Sequence, residues 1–100
     1  MNSYFWQKPL KIGKRDTYTV DLSTWSKDEP IITLTTTTKS ALVFIENNFI
    51  GTNPKGINSI VGVTVSGLLD GIEEITFNYS TSTRTDSETI KLKVGESCLI

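Results

Sequence analysis

Histidine is absent from this chain, and cysteine occurs once, at Cys98. A single chain of that composition lacks the nitrogen and sulfur donors of a zinc site. It also lacks the imidazole that activates a serine or cysteine nucleophile, and it can close no internal disulfide. Long apolar runs are missing: none approaches the roughly 20 residues of a membrane-spanning helix. The N-terminus has no basic-then-apolar pattern of a secretory signal. These absences point to a protein made and kept in a cytoplasm, or assembled there into something larger.

Charge of one sign is also scarce. Ten Lys and Arg against eleven Asp and Glu leave a formal charge of −1. Basic residues gather only at Lys8, Lys11, Lys14 and Arg15, which reads as a solvated arm. No nucleic-acid partner is expected, since that demands a concentrated basic face. Asp16, Asp21, Asp28 and Asp70 are too scattered for a calcium loop. "GTNPKG" lacks the spacing of a phosphate loop and a following helix. Glu73 and Glu74 are adjacent, so on a strand they face opposite sides and cannot flank a substrate as an acid–base pair. No catalytic residue, metal ligand or cofactor is assigned, and an enzyme is not expected.

What the chain has in abundance is hydroxyl. A quarter of its residues are Ser or Thr, and β-branched Thr suits half-wet pleated surfaces. Apolar residues recur at every second position, which argues against disorder and for strands. In "DTYTVDLS", Tyr18, Val20 and Leu22 alternate with Thr17, Thr19 and Asp21. Trp25 follows as a cap on the core, before a turn at "SKDEP". In "IITLTTTTKS", Ile32 and Leu34 share one face with Thr36 and Thr38, and Ile31 lies on the other with Thr33, Thr35 and Thr37.

"ALVFIE" is apolar on both faces, and "NN" joins it to "FIGT" as a hairpin. "NPKG" is a type I turn. Val61, Val63 and Val65 point inward on the next strand, where Gly62 permits a bulge or the close approach of another chain. At the corner "LLDGIE", Leu68 or Leu69 plugs the end of the core, and Asp70-Gly71 turns the chain. Ile75, Phe77 and Tyr79, then Ile90, Leu92 and Val94, face inward on the last two strands.

Seven short strands with turn chemistry between them, and no helical period, predict an all-β immunoglobulin- or fibronectin-like β-sandwich over residues 16–100. Residues 1–15 are expected to form an N-terminal arm. Its Tyr4, Phe5 and Trp6 are a large apolar area to place at a terminus. They pack either onto the open end of their own domain or onto a neighbour, since aromatics are enriched at interface hot spots. The expected protein-binding residues are Tyr4, Phe5, Trp6 and Pro9 on the arm, Phe44, Phe49 and Ile50 around the hairpin, and Leu99 at the C-terminus. Exposed Tyr4, Trp6 and Trp25 are alternatively placed to stack on sugars.

The order of features resembles the fibre–tail adaptor family of bacteriophages, small tail proteins with an immunoglobulin-like fold. Trp6, Lys8, Pro9, Tyr18, Val20, Asp21, Ile31, Gly67, Gly71, Leu92 and Val94 fall in matching order, while residues 42–59 lie outside the resemblance. The resemblance implies a non-enzymatic structural protein of the virion, assembled in the host cytoplasm. Its partners would be other tail proteins (tail tube, neck or fibre), with repeated copies arranged in a ring and no membrane. The alternatives are a carbohydrate- or receptor-binding sandwich and a capsid decoration or neck component.

Overall fold

A computed structural model of the chain describes residues 4–95, with side chains from Phe5 onward. The expectations for Cys98 and Leu99 fall outside the described residues. The elements are β1 (Tyr4–Phe5), β2 (Arg15–Asp21), α1 (Ser23–Ser26), β3 (Thr33–Thr38), β4 (Val43–Thr52), β5 (Asn58–Gly67), β6 (Gly71–Ser80) and β7 (Thr85–Val94). They form two sheets, in the orders β1-β7-β6-β3 and β2-β5-β4. The protein is an all-β immunoglobulin-like sandwich.

Period-two alternation produces the core. Val61, Val63 and Val65 from β5 meet Ile75, Phe77 and Tyr79 from β6 and Ile90, Leu92 and Val94 from β7. All nine are buried. Each such side chain contributes roughly 1.5–3 kcal/mol by leaving water.

Residues 4–12 of the segment expected as an arm run along both sheets. Tyr4 and Phe5 stand beside Ile90 and Lys91 in a parallel pair. Leu10 then bridges to Val94, and Ile12 bridges to Gly67 of the other sheet. Leu10 is buried and belongs to the core. Gly67 makes the crossing possible, because a Cβ there would stand 2.6 Å from the Lys11 carbonyl oxygen.

Ile31 and Ile32 make a second crossing. The Ile31 N–H donates to the Asn58 carbonyl of β5's sheet, and the Ile32 N–H to the Ser80 carbonyl of β6's sheet. Ile31 is buried and Ile32 exposed, while Leu34 packs against the core. The expectation that Ile32 and Leu34 share one face fails here, because regular pleating starts only at Thr33.

The expected hairpin at Asn47-Asn48 is also absent. Val43–Thr52 is a single strand, with a register break between Ile45 and Asn47 that leaves Glu46 as the extra residue. A bulge absorbs one residue and switches which side chains face inward. Beyond it Asn48 points between the sheets, and its Nδ2 donates to Thr36 Oγ1 at 3.1 Å. That bond ties the edge strands β4 and β3 together on one side of the sandwich.

The corner before β6 overturns another expectation. Leu68 and Leu69 are exposed and plug nothing. Their N–H groups both donate to the Leu42 carbonyl. Leu42 closes this end instead, in contact with the core. Glu73, fully buried, locks the same end. Its Oε1 accepts the N–H groups of Lys39, Ser40 and Glu74, and its Oε2 accepts that of Leu42 at 2.6 Å. Glu74 faces outward and pairs with Lys39 at 3.5 Å, so the two carboxyls do lie on opposite sides.

Candidate functional site

Two surfaces on the described residues carry candidate functional side chains. The first lies on the side of the sandwich where β2 forms the edge of one sheet and the short β1, paired on β7, forms the edge of the other. Trp6 spans the gap between them. Its ring sits 4.9 Å from that of Tyr18 and meets Phe77 edge-on at 6.1 Å. Its indole N–H donates to the Thr19 carbonyl at 3.0 Å. Of the two options for the aromatic N-terminus, Trp6 takes the inward one.

α1 builds the far wall. Asp21 Oδ1 accepts the Ser23 N–H at 2.9 Å, starting a single helical turn. The turn ends at Lys27 and Asp28, both in the left-handed region with φ of 50° and 70°. This turn sets Trp25 edge-on to Tyr79 at 4.8 Å, with the Arg84 guanidinium 4.5 Å over its ring. The sequence reading placed Trp25 on the core correctly but missed the helical turn. Asp21 followed two residues later by Ser23 is the local signal for it.

Between Trp6 and Trp25 lies a groove of about 510 Å³. Val20, Leu22 and Ile90 line it with the two tryptophans; Phe5, Thr19, Asp21, Thr24 and Glu88 complete its walls. Hydrogen bonds from the Ser23 hydroxyl and N–H hold the Asp21 carboxyl below its ordinary pKa. Partial burial, and then the neighbouring charge of Asp86, push the Glu88 carboxyl above its own.

The second surface is the opposite end of the molecule. Phe44, Leu68, Leu69 and Ile72 are exposed around this end, Phe44 on the outer face of one sheet, Ile72 on the outer face of the other, and Leu68 and Leu69 on the corner between β5 and β6. Phe44 stands opposite Ser66 on the outer face of its sheet. Leu68 follows one step beyond Gly67, which Ile12, also exposed, bridges. Large apolar side chains exposed around one end of a small domain make that end a candidate for partner contacts.

The other expected contact residues are dispersed. Phe5 is exposed, with the ammonium groups of Lys91 and Lys93 at 5.6 and 5.8 Å from its ring. Tyr4 contributes backbone to β1, and Pro9 is exposed. Ile50 packs on the core. Phe49 lies across Gly62, where a Cβ would stand 2.3 Å from its Cζ, so the chain that approaches Gly62 is this one. Leu99 lies outside the described residues. Leu68 and Leu69 were expected to plug a core end that Leu42 fills, and Ile72 was given no role.

No family model matches the chain, and no curated protein matches it. Solved structures share its fold. The cysteine protease inhibitor EhICP2 from Entamoeba histolytica is similar with a TM-score of 0.51 at 12% identity, over 92% of this chain and 84% of that one. Domains 4 and 5 of the S-layer protein SbsC give 0.53 at 20% identity, over 89% of this chain and 47% of that one. An endo-fucoidan hydrolase of glycoside hydrolase family 107 gives 0.53 at 19% identity, over 93% of this chain but 12% of the hydrolase. At such identities the likeness is one of fold.

Proposed function

We propose that this protein is a non-enzymatic assembly module of a virion, a tail adaptor that joins tail tube, neck or fibre proteins through protein–protein contacts. The exposed apolar end formed by Phe44, Leu68, Leu69 and Ile72 carries this reading. Burying those side chains against a partner gains the free energy that leaving them in water forgoes. The end is also firmly built, since Glu73 holds the 39–42 turn from inside through three of its backbone N–H groups. The order of Trp6, Lys8, Pro9, Tyr18 and the later motif residues supplies the family resemblance. A capsid decoration or neck component would use the same surface.

The test is mass spectrometry of purified virus particles carrying the gene. The chain is expected in the particles at fixed stoichiometry, and a Leu68→Asp/Leu69→Asp variant that folds normally is expected to be missing from them. Absence of the parent chain from every particle overturns the reading. A second reading, carbohydrate or receptor binding, is favoured by one observation: Trp6 and Trp25 line a common groove.

A further inference from the structure

The groove between β2 and β7 has an apolar floor and acidic walls, with no basic residue among those that line it. Along β7, Asp86 and Glu88 occupy the positions that alternate with Lys91 and Lys93, on the same side of the strand as buried Ile90 and Leu92. The two lysines project from the other side of the strand, and their ammonium groups lie 5.6 and 5.8 Å from the ring of Phe5, at the rim of the groove. Arg84 is the nearest cation in sequence to Asp86, and it is engaged. Its Nη2 donates to the Trp25 carbonyl, and its Nε lies 3.9 Å from Glu29. Among the described residues neither Asp86, Glu88 nor Asp21 has an ion-pair partner.

Placing like charges together beside apolar surface is unfavourable unless an opposite charge arrives. Burial first, and then the Asp86 charge, push the Glu88 carboxyl above its ordinary pKa.

We infer that this groove is a docking site for a partner protein's segment that presents a Lys or Arg beside an aliphatic residue. The aliphatic side chain covers Val20, Leu22 and Ile90. The basic side chain lays its methylene stem along the indole surface and delivers its cation to Glu88. Long basic side chains are built for such a divided surface, apolar along the stem and charged at the tip, and indoles are the best aromatic partners of cations. The volume of about 510 Å³ lies within the range that holds small ligands and anchor side chains. A neutral sugar would stack on the same indoles but would leave the paired charge of Asp86 and Glu88 unanswered. The inference is independent of the virion reading and of the apolar end.

Both tryptophans of the chain line the groove, so their fluorescence reports occupancy directly. The full chain is titrated with the blocked tripeptide leucine–lysine–leucine and with its glutamine and glutamate counterparts. The expected result is a saturable change with the lysine peptide only, weakening as salt is raised. Glu88→Gln is expected to weaken it about tenfold or more, with a melting temperature no lower than that of the parent. Glu88→Lys, which supplies the cation from within, is expected to abolish it. No saturable change with the lysine peptide overturns the inference. So does an equal response to the glutamine peptide. A response to cellohexaose in place of the lysine peptide overturns it in favour of the carbohydrate reading.

Discussion

Tyr18 brings its ring into the core and its hydroxyl with it. The residue is buried, and among the described residues the hydroxyl has no hydrogen-bond partner. Burial, with a smaller contribution from the Asp16 charge, pushes its pKa up to about 12. Burial also takes Tyr79 to about 12, with the Asp86 and Glu88 charges adding to it. A hydroxyl removed from water without a new bond costs about 1–3 kcal/mol. Tyr18→Phe removes that cost and leaves the contact with Trp6 in place. It is expected to raise stability by about 1 kcal/mol in urea unfolding. The pH dependence has a defined sign. The folded pKa lies above the unfolded value of about 10, so the stabilisation is complete below pH 10. It is lost as pH rises from about 10 toward 12. The Tyr18→Phe variant is expected to lose less stability across that interval than the parent. An unchanged alkaline limb would show that Tyr18 is solvated in the native state.

At the scale of elements, two glycines separate tight packing that can yield from tight packing that cannot. At Gly62 an added methyl would meet the Phe49 ring, the end of a side chain that can swing away. At Gly67 it would meet the Lys11 carbonyl and the Ile12 Cα, which are backbone of the crossing segment. Gly67→Ala is therefore expected to cost about 2–3 kcal/mol, and Gly62→Ala about 1 kcal/mol or less. Thermal unfolding of the two variants checks the ranking, and the reverse order would mean that residues 10–14 are not held as described.

The strands β2, β5, β6 and β7 were legible because one face of each is core and the other is not. Tyr18, Val63, Phe77 and Leu92 follow that rule without exception. β4 was not legible, since its bulge at Glu46 changes the inward set halfway along and makes one strand look like a hairpin. The crossing at Ile31 and Ile32 was hidden for a related reason: its two N–H groups bond to different sheets. The groove was the hardest part to foresee. Trp6 and Trp25 are brought together by a two-residue strand and a four-residue helical turn, neither long enough to show a period. Glu73 was read only as incapable of acid–base work, since nothing local announces that four N–H groups converge on it.

The described residues extend over 41 × 25 × 20 Å, and the two candidate surfaces lie toward opposite ends of the long strands. β7 starts beside Arg84 and Trp25, near the groove, and finishes at Val94 opposite Gly71, next to the apolar corner. The adaptor role proposed above calls for two surfaces of different chemistry, because identical ones would bind the same partner at both ends instead of joining unlike ones. An apolar end and an acidic, aromatic groove meet that need. Well-separated sites contribute additively when no shared partner links them, so each surface should be removable alone. If the proposed adaptor role holds, Leu68→Asp/Leu69→Asp is expected to abolish incorporation into particles and to leave the lysine-peptide titration unchanged. Glu88→Gln is expected to weaken the titration and to leave contacts through the apolar end intact. If the aspartate pair weakens peptide binding as much as Glu88→Gln does, the two ends are coupled through the core and the molecule is not a two-ended joint.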